Sequence, residues 1–169
     1  RTGPPAACWG PPWLWPSSCG CTVMDPEQKK KALRKIVHGV YVIGVKAADG
    51  AISAFTANWL SQASFKPPLV MLAVKTDSSS FPVIRECGKF SVSILEEGQK
   101  AVAGTFFKKP ELADGKLAGY PVEFHSTGAP VLSDAPAFVE CEVRDSVNRG
   151  DHAVIVAEVI NAGRKRDGR

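Results

Sequence analysis

Apolar residues in this chain keep two different rhythms, and polar punctuation separates them from residue 25 onward. Ala32, Leu33, Ile36 and Val37 recur at helical spacing behind Asp25, Pro26 and Glu27. Asp25 suits an N-cap, Pro26 the first helical position and Glu27 the first turn, so a helix is predicted there, stopping at Gly39. The runs at 40–45 and 51–55 flank Ala47-Ala48-Asp49-Gly50. That arrangement predicts a hairpin with Asp-Gly at its tip. Residues 53–74 read as strand, short polar turn, proline pair and strand, and 68–74 is a continuous apolar run. A short helix over 78–87 would be capped by Ser78 or Ser79 and closed by Gly88, and 89–95 alternates as a strand. Residues 99–107 have helical spacing. From 108 to 134 the pattern breaks into Gly, Pro and Asp punctuation around one short strand at 121–124. Two alternating strands at 137–143 and 151–159 follow, joined by a turn around 147–150.

Six or seven strands with two or three helices, and no consecutive βαβ units, predict a mostly β fold. Its expected form is a closed, mostly antiparallel barrel with helical covers. The chain has no Gly-x-Gly-x-x-Gly, which argues against a doubly wound dinucleotide-binding domain. Its 169 residues amount to one domain. Residues 1–23 stand apart from the rest. They hold Trp9, Trp13 and Trp15, Cys8, Cys19 and Cys21, and two Pro-Pro pairs, with no periodicity. No unbroken apolar core marks them as a signal peptide. They are expected to be a non-native leader or a disordered natural extension, with the domain running from 24 to 163 and a basic, truncated or altered tail at 164–169.

The net charge of +4 comes largely from Lys29-Lys30-Lys31 with Arg34-Lys35 and from Arg164-Lys165-Arg166. Neither cluster is interleaved with aromatics, so a solvated helix face and a frayed tail are expected, not a nucleic-acid surface. No apolar run approaches the roughly 18 residues needed to span a bilayer. Within the domain only Cys87 and Cys141 remain, far apart and inside apolar patterns. Two buried reduced thiols and a cytoplasmic protein follow, and Cys19-Gly20-Cys21 lacks the two-residue spacing of a zinc pair, so no metal is expected.

The chemistry concentrates in residues 53–74. Thr56, Asn58, Ser61, Gln62 and Ser64 crowd between two apolar runs with Trp59 among them. Oriented amides and hydroxyls bind anions and carbonyls, and a flat ring wants a flat apolar neighbour. Far downstream lies Gly150-Asp151-His152, ahead of Ala157-Glu158-Val159.

With Thr56-Ala57-Asn58-Trp59, the Ser61 to Val70 segment, Ser78-Ser79-Ser80 and Gly150-Asp151-His152 in place, the chain from Met24 to about Gly163 resembles the flavin-reductase-like family. These are FMN-binding split β-barrels, antiparallel and Greek-key-like. Ala157 stands where that family commonly has glycine. The resemblance implies a flavin reductase or flavoprotein oxidoreductase that takes a hydride from NADH or NADPH. Electrons would then pass to free flavin or to a separate oxygenase or acceptor protein. It places Thr56, Ala57 and Asn58 along the isoalloxazine edge, with Trp59 beside the ring. Ser61, Gln62 and Ser64, with Ala63 between them, would reach the ribityl chain or phosphate. Ser78 and Ser79 would add hydroxyls at a helix start, Phe106 and Phe107 would mark the flavin's edge, and His152 would line the nicotinamide face. The family also implies a homodimer.

Each residue has a plainer role open to it. Thr56 and Asn58 suit turns, Trp59 and the Phe pair suit a core, Ser78 and Ser79 suit caps, and His152 suits a hydrogen bond to Asp151. Two further functions compete. A pyridoxamine-phosphate-oxidase-like enzyme would want arginines on a substrate phosphate, and the central region between the two basic clusters has only Arg85, Arg144 and Arg149. A flavin-free ligand-binding barrel would lack the colour of a flavin.

Overall fold

The computed structural model describes residues 25–108 and 110–166. Thus the expected leader and the last three residues of the tail lie outside it. The chain divides into two compact units, Arg1–Val37 and His38–Arg169. In the first, α1 (Pro26–Leu33) starts as its sequence requires: the Asp25 carboxylate accepts the Glu27 N–H at 3.0 Å. The helix stops at Leu33, short of Gly39, and buries none of its residues.

The second unit is mostly antiparallel β. Seven strands form one sheet: β1 (Tyr41–Lys46), β2 (Ile52–Ala57), β3 (Leu60–Phe65), β4 (Pro68–Lys75), β5 (Lys89–Ile94), β10 (Ala137–Asn148) and β11 (His152–Arg164). Their order is β2-β1-β5-β10-β11-β4-β3. Only Asn58 and Trp59 separate β2 from β3 in sequence, yet these strands lie at opposite edges of the sheet. A two-residue link cannot span a flat seven-stranded sheet, whose strands sit about 4.8 Å apart. The sheet therefore winds round until its edges meet, and it stays unpaired along that seam. The expected closed barrel is accordingly a split one.

Three sequence expectations change. The polar stretch read as a turn is edge strand β3, with a register shift between Gln62 and Ser64. An edge strand has one side and little burial to satisfy, so Ser, Gln and Ser are tolerated there. The punctuated region 108–134 is a second sheet, β6 (Leu112–Ala113), β7 (Lys116–Leu117), β8 (Tyr120–Phe124) and β9 (Pro130–Leu132). Strands of two or three residues leave no detectable alternation. Finally, residues 165–166 of the tail are pinned. Lys165 donates to Glu123 at 2.7 Å and to the Ser133 carbonyl at 3.1 Å, and Arg166 pairs with Glu96.

Other elements fall close to expectation: the hairpin at Asp49-Gly50, α2 (Ser80–Cys87) closed by Gly88, and a shorter α3 (Lys100–Thr105). β1 is buried on both faces, which explains its unbroken apolar run. Ile43 and Val45 join Leu72, Val74, Ile84, Phe90 and Ile155 inside the wound sheet. Val42 faces a second cluster with Phe106, Leu117 and Leu132. Cys141 is buried and Cys87 partly so, and both are free thiols. Ala157 is fully buried in the first cluster.

Candidate functional site

The seam opens a cavity of about 530 Å3. Nearly all of β2 supplies one wall, through Ser53 to Ala57, and the Asn58-Trp59 link supplies its corner. The end of β4 and the start of α2 form the opposite wall with Lys75, Ser78, Ser79 and Ser80. Phe106, Phe107 and Lys108 close it from beyond α3, and His152 enters from the first position of β11, where it is paired with Lys75.

Thr56 fixes the β2 wall. Its N–H donates to the Phe106 carbonyl at 3.2 Å and its hydroxyl to the Ala103 carbonyl at 2.6 Å. An edge strand that would otherwise offer bare amides is thereby tied to α3 and the residues after it. Both Thr56 donors are engaged within the protein, so its work is to hold the wall. Asn58 is exposed, and its side chain makes no hydrogen bond among the described residues.

Trp59 is held by its backbone: its carbonyl accepts the Ala73 N–H at 2.9 Å. The residue stays 46% exposed, and its ring lies 4.7 Å from the His152 ring, tilted by 45°. A core tryptophan would be covered, so this ring is kept as a platform. His152 is oriented by Asp151, whose Oδ1 is 3.0 Å from Nδ1. The backbone carbonyl of Asp151 accepts both the N–H and the hydroxyl of Thr76, at 3.0 and 3.1 Å. Asp151 titrates below its ordinary range, chiefly through the His152 hydrogen bond and then through the charge of that ring.

The serine cluster divides its labour. Ser78 donates its hydroxyl to the Lys75 carbonyl at 2.7 Å and closes the turn. Ser79 holds the N-cap position of α2, but its side chain caps nothing. The hydroxyls of Ser79 and Ser80 have no partner among the described residues. They stand at a helix start, where the macrodipole favours an anion. Lys108 adds positive charge. The ammonium of Lys75 is held by Asp77 at 2.9 Å; that contact raises the pKa of Lys75 and lowers that of Asp77.

Of the residues singled out from sequence, Thr56, Ala57, Asn58, Trp59, Ser78, Ser79, Phe106, Phe107 and His152 line this one cavity. Ser61, Gln62, Ala63 and Ser64 do not; they lie on β3, where Ser61 donates to the Gln62 carbonyl at 3.2 Å and the Gln62 amide to the Ser64 carbonyl at 3.4 Å. Sequence reasoning missed Ser53, Phe55, Lys75, Ser80 and Lys108. Ser80 could have been found as the third member of its serine run. The others carry no local signal, because the seam alone brings them together. Among the described residues no His, Cys, Asp and Glu side chains group into a metal site, and no helix is long and apolar enough to cross a membrane.

The model of the flavin reductase like domain matches residues 33–169. The chain is 31% identical over 137 residues to the "Probable flavin reductase" of Rhizobium meliloti, covering 81% of this chain and 43% of that protein. It is 35% identical over 134 residues to diflavin flavoprotein A 1 of Synechocystis, covering 78% of this chain and 23% of that one. It thus spans less than half the length of both of these relatives. The solved NADH:FAD oxidoreductase SgcE6 of Streptomyces globisporus C-1027 superposes with a TM-score of 0.74 at 30% identity, covering 86% of this chain and 89% of that structure. The wound seven-stranded sheet, the cavity at its seam and these likenesses agree: the chain belongs to the flavin reductase-like domain family.

Proposed function

We propose that this domain binds a flavin, FMN in the first instance, at the seam and reduces it with NADH or NADPH. The carrying observation is one cavity that holds an exposed Trp59 against a half-buried His152, beside amide and hydroxyl groups of Asn58, Ser79 and Ser80 that are unengaged among the described residues. A flavin fits that set: its ring system asks for a flat neighbour and a few oriented donors, and its phosphate asks for hydroxyls, a helix start and cationic side chains. When bound, the flavin supplies the redox chemistry, accepting a hydride from a reduced nicotinamide.

The chain's own residues bind and orient. Asn58 offers its amide to the ring edge. Ser79, Ser80 and Lys108 receive the phosphate. His152, fixed by Asp151, sets the attitude of the nicotinamide, and Trp59 shields the pair from water on one side. Phe106 is buried and Phe107 exposed, so Phe106 holds the wall while Phe107 meets the ligand. This division of roles needs no acid–base triad.

The finer readings rest on different supports. SgcE6 is named for NADH and FAD, and diflavin flavoprotein A 1 carries a matching domain within a much longer chain. Release of reduced flavin to a separate oxygenase is supported by similar solved structures named as the flavin reductase component of a two-component tryptophan halogenase and as the styrene monooxygenase flavin reductase. A homodimer is supported by the outer face of β4 and β11, where Met71 and Val154 remain exposed, and a cytoplasmic setting by the free thiols. Purified protein should bind FMN, show the flavin's visible band and lose that band when NAD(P)H is added anaerobically. A colourless protein that leaves FMN fluorescence unchanged on titration would overturn the reading.

A further inference from the structure

A second cavity, of about 520 Å3, backs onto the first. The two share Thr56, Ala57, Asn58 and Phe107, so the seam residues form a common wall. Its floor is apolar, from Val40, Leu95, Ala103 and Phe107, and Glu96, Glu97, Gln99 and Lys100 surround it. Two of these polar residues are already engaged. Gln99 accepts the Glu96 N–H at 3.0 Å and donates to the Asp134 carbonyl at 3.2 Å, while the Glu96 carboxylate pairs with Arg166. Glu97 and Lys100 are exposed and make no hydrogen bond or ion pair among the described residues. Gly104 also lines the cavity, and a side chain built there would meet nothing within 4 Å.

An apolar recess with a carboxylate and an ammonium at its edge suits a nucleobase joined to a ribose and a diphosphate. The base needs the floor, the ribose hydroxyls need an acceptor, and the diphosphate needs a cation. Resting on the flavin reading above, we propose that the second cavity seats the adenosine end of a dinucleotide whose redox-active ring lies in the first. Two molecules carry this chemistry, the nicotinamide donor and FAD. Glu97 then has a defined role: it accepts from a free 2′-hydroxyl and repels a 2′-phosphate, which favours NADH over NADPH.

Gly104→Leu fills the second cavity from a helix position that tolerates leucine well. Calorimetry with ADP-ribose on the flavin-free chain should show at least tenfold weaker binding in this variant, with FMN affinity unmoved. If the donor's adenosine is seated there, KM for NADH rises at least tenfold while KM for reduced nicotinamide mononucleotide, which lacks adenosine, does not. If FAD's adenosine is seated there, FAD affinity falls tenfold relative to FMN. Unchanged ADP-ribose, NADH and FAD binding overturns the proposal, and so does an equal loss for NADH and the mononucleotide. The exposed variant Glu97→Arg gives a test that does not depend on packing. It should shift the NADPH-to-NADH preference at least tenfold toward NADPH, and an unchanged ratio overturns the 2′-hydroxyl reading. A wild-type chain that binds ADP-ribose but no flavin would remove the flavin reading and leave the second cavity standing.

Discussion

The seam and the region around β9 treat polar groups in opposite ways. Ser91, Ser93 and Glu140 are buried polar residues, and all three fasten β9 and the loop before it to the main sheet. Ser91 donates to the Pro130 carbonyl at 2.6 Å, and Ser93 accepts the Leu132 N–H at 3.0 Å. Glu140 accepts from the Ser126 and Thr127 N–H groups at 2.9 and 2.8 Å, from the Thr127 hydroxyl and from the Asn161 amide. At the seam, by contrast, the Asn58 amide and the Ser79 and Ser80 hydroxyls bond nothing among the described residues. A buried polar group must be satisfied by the protein itself, whereas a ligand site works by leaving bonding capacity to the ligand. The contrast lets one structure be divided into scaffold and site without knowing the ligand.

Substitutions can break that division. The largest expected effect is at Gly44 in β1, where a Cβ would lie 2.1 Å from the Pro130 oxygen and 2.5 Å from the Ser91 hydroxyl oxygen. Gly44→Ala should displace β9 and break the Ser91 bond, lowering stability by about 3 kcal/mol in urea unfolding. An unchanged midpoint would show β9 to be loosely held.

Glu140→Gln should cost about 2 kcal/mol at neutral pH. Burial pushes this carboxyl up, but the Thr127 hydroxyl, the Asn161 amide and the two backbone N–H groups outweigh it and hold its pKa below the ordinary 4.5. Its stabilisation is therefore complete above 4.5 and is lost as pH falls through the lower folded value. Wild-type Tm should drop across that acid window more steeply than the variant's, and parallel acid profiles would remove Glu140 from this role.

At the site the effects should spare the fold. His152→Ala is expected to slow anaerobic flavin reduction by NAD(P)H about tenfold, some 1.4 kcal/mol, with FMN affinity nearly intact. A lowered Tm with an unchanged rate would return His152 to the scaffold. The smallest effect sharpens the boundary. Asn58→Ala should weaken FMN binding by roughly 0.5–1.5 kcal/mol. Ser61→Ala, on β3 outside the cavity, should leave it unchanged in fluorescence titration.

Much of the scaffold was legible because its signals are local. Asp25 caps α1, Asp49-Gly50 turns a hairpin, and the alternation in β10 and β11 survives two register shifts. Thr56 to Trp59 and His152 stood out through their motifs, and the fold brings them to one cavity. The rest escaped for physical reasons. Ser61 to Ser64 look like turn residues because an edge strand, paired on one side and barely buried, imposes little pattern. Lys75 and Lys108 reach the cavity only through the winding of the sheet. Phe106 and Phe107 are adjacent and identical, and only the packing shows that one is buried and the other 76% exposed.

The two-residue link between β2 and β3 also dictates the order in which this molecule can assemble. β2 finds β1 across a short hairpin, but β4, which carries β3, needs β11 at its other side, some eighty residues later in the chain. Contacts of such sequence separation form slowly, because loop closure precedes their reward. The cavity therefore closes only when β4 has met the last strand, β11. A ligand held there stabilises the finished winding alone, and the link behaves as a clasp that locks only once the whole sheet has been wrapped.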